Sequence, residues 1–177
     1  MSDNTISLIK AVPKDLKELQ DLARRTFSDA YGPMNTEADM RLYLEIGFSD
    51  KKMRGELKNP DSHFYLIRLD GKAVAYLKVN LAAAQTNLMD PKSLEIERIY
   101  VLKELQGRQI GQMLLDKALE VARENELEYI WLGVWQKNHR AIRFYERHGF
   151  RIFDTQTFTL GADVQEDWLM RLDLPVV

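Results

Sequence analysis

Apolar residues along this chain recur at two different periods, and the period changes with position. TISLIKA (5–11) alternates in part and is bounded by Pro13, which reads as a first strand. In KDLKELQDLARRTFSDAY (14–31), Leu16, Leu19, Leu22, Ala23 and Phe27 fall at helical spacing, and Gly32-Pro33 ends the run. Thr36 is placed to cap a second helix carrying Met40, Tyr43, Leu44 and Phe48 on its apolar side. Ser49-Asp50 is placed to cap a third, short one that ends near Asn59-Pro60. HFYLIRL (63–69) and KAVAYLKVN (72–80) flank Asp70-Gly71, a two-residue hairpin signal. AAAQTNLMDPKS (82–93) reads as a loop, and LEIERIYV (94–101) as a strand. IGQMLLDKALEVAREN (110–125) is helical, with a buried face through Ile110, Met113, Leu114, Lys117, Ala118 and Val121. YIWLGVW (129–135) is a dense apolar and aromatic strand. Asn138 offers an N-cap to HRAIRFYERHG, which Gly149 can end at its C′ position. FRIFDTQTFTL (150–160) and DWLMRLDL (167–174) read as closing strands. The order predicts an α/β mixed sheet with helices on its faces, as one domain over 1–177.

Composition narrows the function without naming it. Hydrophobic residues at 45% and charged residues at 29% suit a soluble globular domain. The formal net charge of -2 gives no support to a nucleic-acid-coating protein. No apolar stretch approaches the length that spans a bilayer, and MSDNTISLIK lacks the basic and apolar regions of a secretory signal. The expected location is the cytoplasm, with no membrane and no nucleic-acid partner. The absence of cysteine excludes disulfides, thiolate metal sites and any acyl intermediate on a protein thiol. His63, His139 and His148 have no zinc-helix spacing, so no metal is expected.

The stretch LQGRQIG (105–111) joins a strand to a helix and carries two glycines where neither helix propensity nor a turn calls for both. A strand running into such a turn and then a helix brings free backbone N–H groups and the helix dipole to one point. That is an anion site, suited to a diphosphate. One glycine alone would mean only a loose helix start; the whole context favours the anion site. Gly111 is followed by Gln112 rather than Lys-Ser/Thr, so it is not a P-loop, and the third glycine of a dinucleotide fingerprint is missing.

Gln106-Gly107-Arg108-Gln109-Ile110-Gly111 resembles the acetyl-CoA signature of the GNAT N-acetyltransferases, Gln/Arg-x-x-Gly-x-Gly/Ala, with Gln109 at the middle glycine position. WLGVWQKNHRAIRFYERHGF (131–150) carries Asn-x-x-Ala-x-x-Phe-Tyr-x-x-x-Gly-Phe, a pattern specific to that superfamily. LEIERIYV, WLGVWQKN and YLKVN further resemble the bacterial spermidine/spermine N-acetyltransferases of the PaiA type, over most of residues 62–172. The resemblance implies the GNAT acyl-CoA N-acyltransferase fold, with a mostly antiparallel central sheet, and acetyl-CoA as cosubstrate. It implies a small amine acceptor, a polyamine first. Alternatives are a protein N-terminus, a lysine or an antibiotic amine, or a non-catalytic acyl-CoA sensor. A homodimer is the family-level expectation.

Acetyl transfer to an amine sets three demands. An alkylamine titrates near ~10.4, so a proton must be removed. The attack builds an oxyanion that needs a fixed donor. The thiolate, with a pKa near ~8.5, then needs a proton. With no cysteine, direct attack in a ternary complex is the simplest course. Glu95 and Glu97 share a face of their strand by the two-residue period and are the base candidates, directly or through water. Either can instead pair with Arg98 or a lysine and merely hold the sheet. Glu95 lies eleven residues before Gln106, where the resemblance keeps a base. The resemblance makes Tyr145 the general acid on the CoA sulfur, and Ile99, Tyr100 and Val101 the strand that pairs with the pantetheine arm. It gives the cofactor the stretch from Gln106 to Gln112, including Arg108, Gln109 and Ile110, together with Asn138. His139 and His148 read as surface residues, and Trp131 and Trp135 as core and cleft wall. The acceptor pocket is expected from the N-terminal helices and the 82–93 loop, with Asp29, Asp39, Glu45 and Asp90 as candidate carboxylates.

Overall fold

The structure is a computed structural model and describes residues 4–175, so the first three residues of MSDNTISLIK lie outside it. β1 (Ile6–Lys10) leads through a 3-10 turn into α1 (Leu16–Tyr31), whose Leu16, Leu19, Leu22, Ala23 and Phe27 are all buried. α2 (Glu37–Gly47) starts at Thr36, whose side chain accepts from Asp39 N, and α3 (Asp50–Lys58) starts at Ser49, which accepts from Lys52 N. Both caps satisfy N–H groups that the helices leave free. β2 (Ser62–Leu69) and β3 (Lys72–Leu81) form the expected hairpin. Asp70 and Gly71 both take positive φ, 51° and 81°, as a turn matched to strand twist requires.

β4 (Ser93–Val101), α4 (Ile110–Glu124), β5 (Tyr129–Trp135), α5 (His139–Arg147), β6 (Arg151–Leu160) and β7 (Asp163–Asp173) follow. The strands make one seven-stranded sheet in the order β1-β2-β3-β4-β5-β7-β6. Only the β4–β5 pair is parallel among its neighbour pairs. The mixed, mostly antiparallel sheet agrees with the expectation from sequence.

Two details differ. β7 begins four residues earlier than the apolar pattern suggested, because the β6–β7 hairpin carries the polar run Asp163–Glu166 into register with Thr157–Leu160. The buried stripe of α4 is shifted: Leu115 and Ala122 are fully buried, while Met113 and Lys117 are not. Lys117 lays its ammonium over the Tyr65 ring at 5.1 Å, a partly wet position that periodicity alone cannot separate from core.

The sheet is covered on both faces. On one, α1 contacts β3 and β4, and Glu56 of α3 reaches Lys78 of β3. On the other, α4 contacts β3, β4 and β5, and Phe144 of α5 lies near Gly111 of α4 and Val101. The central strands β3, β4 and β5 are therefore largely buried on both sides, which explains the near-continuous apolar run of β5, while β4 buries charged residues among its apolar ones.

Candidate active site

β4 and β5 pair from Ser93↔Tyr129 to Ile96↔Leu132 and then part. β4 keeps its ladder to β3 as far as Val101, but the edge facing β5 is left without a strand partner beyond Ile96 among the described residues. A cavity of about 720 Å³ opens at this divergence. Ile99, Tyr100 and Val101 line it from β4, and Trp135 from β5.

One end of the cavity is cationic. Gln106, Gly107, Gln109, Gly111 and Gln112 line it at the start of α4. Gln109 sits at the N-cap with φ 62° and ψ 11° and gives no side-chain cap, so the first-turn N–H groups of α4 keep no partner from it. The glycine expected at this position is absent, yet the backbone adopts the left-handed conformation that glycine favours. A Cβ added at Gly111 would meet nothing nearer than Phe144 at 3.8 Å, so the fold itself does not require glycine there. A glycine in the first turn of a helix with room for a side chain is suited to the close approach of a ligand. Lys103, Arg140 and Arg147 complete this end, with Arg140 donating to Gln106 Oε1 at 2.6 Å, while Lys137 lines the cavity with its ammonium 5.7 Å from the Trp135 ring. Arg108 is exposed and Ile110 is buried in the core, and neither lines the cavity.

α5 supplies the wall beside the divergence. Asn138 caps it by accepting from Ala141 N at 3.2 Å, and also lines the cavity. Tyr145 lines the cavity while only 6% exposed, and burial raises its phenol above the ordinary tyrosine range. That keeps its proton in place at neutral pH. His139 is exposed, as expected, though it also lines the cavity, and His148 is only partly exposed. It lines the cavity and bonds both the Phe144 carbonyl, at 2.6 Å, and Gln112, tying α5 to the start of α4.

The two strand carboxylates converge on Asn80, whose Nδ2 donates to Glu95 at 2.9 Å and to Glu97 at 2.7 Å. They do not line the cavity. A bulge makes Glu97 the extra residue, since Lys78 pairs with Arg98 while Val79 pairs with Ile96. The bulge turns Arg98 to the same face as both carboxylates; strict alternation would have sent it to the other. Lys78 and Arg98 thereby meet Glu97 and Glu56 in a buried cluster. Burial works against the charge of Glu97, but Arg98 and Lys78 outweigh it and hold its carboxyl down at about 2. Burial raises Glu95, opposed by bonds from Asn80 and Thr86. The same environment thus separates two residues that look alike in sequence.

Of the carboxylates expected near the acceptor, Asp29 lines the cavity. Asp39 accepts from Ala162 N at 2.8 Å, and Asp90 from the Tyr129 hydroxyl at 2.6 Å, while Glu45 is exposed. The sequence reading passed over Tyr31, which lines the cavity and packs on Trp135 with centroids 5.7 Å apart. It also passed over Asp167, buried opposite Trp135, whose carboxyl burial raises to about 6. The available signal was Gly133, a bare position inside a strand of large apolar residues.

A mixed sheet splayed at its one parallel pair, with an uncapped helix start and cations at the opening, makes a cleft suited to a ligand that carries phosphate. The acetyltransferase (GNAT) family model matches residues 16–150. An uncharacterized N-acetyltransferase of the pepI 3′ region in Lactobacillus delbrueckii subsp. lactis is 39% identical over 166 residues, covering 94% of this chain and 96% of that one. The spermidine N(1)-acetyltransferase of Thermoplasma acidophilum is 22% identical over 155 residues, covering 85% and 91%. The crystal structure of the PaiA N-acetyltransferase from that organism, in complex with coenzyme A, superposes with a TM-score of 0.80 at 22% identity, covering 96% of this chain and 99% of that one. The chain belongs to the GNAT acetyltransferase family and is an acetyl-CoA-dependent N-acetyltransferase. No helix among the described residues is long and apolar enough to cross a membrane.

Proposed function

We propose that the chain acetylates a small aliphatic polyamine, spermidine or spermine, by direct attack on acetyl-CoA in a ternary complex. The observation that carries this reading is the opposite character of the two cavity ends. Lys103, Arg140 and Arg147 lie around the uncapped start of α4, a match for the diphosphate of CoA, while Lys137 leans on Trp135. Tyr31, Tyr100 and Trp135 wall the other side, and Asp29 is the acidic residue among the described lining. Aromatic faces and a carboxylate suit an alkylammonium. The distant likeness to a spermidine acetyltransferase points the same way.

In this reading the acceptor nitrogen loses its proton and attacks the thioester carbonyl carbon. The new C–N bond forms, the C–S bond breaks, Tyr145 donates its proton to the departing sulfur, and the nitrogen gives up a second proton that restores the phenol. The free edge of β4 at Ile99–Val101 holds the pantetheine arm, and the start of α4 from Gln106 to Gln112, with Asn138, holds the phosphates. Glu95 is the better base. Its raised pKa favours proton uptake, and a water would bridge it to the cavity it does not line. Glu97 at about 2 is too acidic and too tightly paired to take a proton at neutral pH, and serves as the anchor of the buried cluster.

Release of free CoA from acetyl-CoA, followed with a thiol reagent, tests the reading, and the chain's own lack of cysteine keeps the background low. The panel is spermidine, spermine, putrescine, lysine, a lysine peptide and an aminoglycoside. Turnover of spermidine or spermine well above the others is the expected result. Preference for another amine discards the polyamine assignment, and binding of acetyl-CoA without any turnover favours a sensor.

A further inference from the structure

Asp167 is the buried carboxylate that the proposed mechanism leaves unused. It lies on β7 opposite Trp135 of β5, and only 7% of it is exposed. The molecule's other buried acids are well met. Asp15 faces Arg68 at 3.2 Å, Glu97 faces Lys78 and Arg98, and Glu95 accepts from Asn80 and Thr86. Asp167 has a single long contact, from Gln156 Nε2 at 3.5 Å, and no ion pair among the described residues. A buried carboxylate without a cation is costly unless something else supplies the charge.

The strand beside it carries no side chain at Gly133, and the Gln156 amide fills the space above it. Gly133 is exposed although every other residue of β5 is buried. A Cβ there would stand 2.5 Å from Gln156 Nε2 and 3.3 Å from Asp167 Oδ2. The Gln156 amide therefore lies across a bare stretch of strand, held from the other side by the exposed Asn87 at 2.9 Å. Trp135 and Tyr31 connect this spot to the cavity, since both line it and pack together. The Trp135 ring already accepts one alkylammonium, Lys137, at 5.7 Å.

We propose that Asp167, which lies behind the Tyr31–Trp135 wall rather than in the cavity lining, is the counter-ion for an ammonium group on an aliphatic arm of the acceptor, which takes the place of the Gln156 amide over Gly133. This rests on the reading of the acceptor as a cationic amine. The groups that face Asp167 from the packed elements are Tyr31 of α1, Tyr43 of α2, Trp135 of β5 and Gln156 of β6. Burial raises both phenols, Tyr31 to about 12, so neither is charged where Asp167 titrates.

The test compares the full chain with its Asp167→Asn variant, which keeps the side-chain shape. At pH above the Asp167 titration, the acceptor KM should rise roughly ten- to hundredfold with kcat changed far less, and the acetyl-CoA KM should stay the same. The acid limb of the wild-type kcat/KM profile should lose the contribution of Asp167, near about 6, in the variant and keep that of Glu95. An unchanged acceptor KM with an unchanged acid limb overturns the proposal. If no amine of the panel is acetylated, the reading of the reaction fails separately, and carboxylate NMR of Asp167 with added spermidine decides this proposal alone. A fall in the Asp167 titration point on adding spermidine supports it, and an unmoved one overturns it.

Discussion

The two faces of β4 solve opposite problems. Ile99 and Val101 turn toward α4 and α5, where binding falls to the backbone: a free strand edge, uncapped N–H groups, a bare glycine. Glu95, Glu97, Arg98 and Tyr100 turn toward α1–α3, where side chains from β3, β4, α3 and the 82–93 loop hold one another. Backbone recognition comes from a contiguous stretch, because consecutive N–H groups can only be aimed together by consecutive residues. Side-chain recognition is gathered from distant positions by packing.

Tyr145 is the sharpest exception to this division, because it stands on the side of the free backbone groups yet is proposed to act through its side chain. Tyr145→Phe should lower kcat by roughly 10²–10⁴-fold with little change in acetyl-CoA affinity, read by steady-state kinetics and calorimetry. Equal kcat would remove the acid assignment.

On the opposite face, Arg98→Met should leave Glu97 and Glu56 short of a cation and cost about 3–5 kcal/mol in denaturant unfolding. The pH dependence has a defined sign. Glu97 has a folded pKa of about 2, below its unfolded value of ~4.3. Its contribution is present above the unfolded value and is lost as pH falls toward the folded one. Losing Arg98 should therefore move the acid-unfolding midpoint to higher pH. An unmoved midpoint would mean that Lys78 suffices.

Gly111→Leu sharpens the contrast between fold and ligand. Helix propensity favours the change by about 0.5–1 kcal/mol, while the acetyl-CoA KM should rise about tenfold or more as the side chain enters the cavity. A smaller effect is expected at Gln109→Gly, which relieves the left-handed strain and should stabilise by about 0.5–1 kcal/mol with acetyl-CoA KM unchanged. If that KM falls instead, Gln109 does distort the phosphate loop.

Much of the scaffold was readable from the chain. The Thr36, Ser49 and Asn138 caps, the Asp70-Gly71 turn and the α1 stripe all depend on residues within a turn or two of one another. The cavity lining was readable where a motif spans it, from Gln106 to Gln112 and from Asn138 to Tyr145. Even there, Arg108 and Ile110 fall outside the cavity, because a helix start aims only some of its side chains inward. The unequal fates of Glu95 and Glu97 were not readable, since they hinge on a bulge against β3 and on Glu56, some forty residues upstream.

The sequence by itself determined the order of elements, the family and the place of the left-handed turn that opens α4, because periodicity, capping and short motifs are local. The tertiary structure alone decided which strands part, which carboxylate is neutralised and that Asp167 is left without a cation beside Gly133. Charge pairing and desolvation depend on what is packed within a few ångströms, and distance along the chain does not record it.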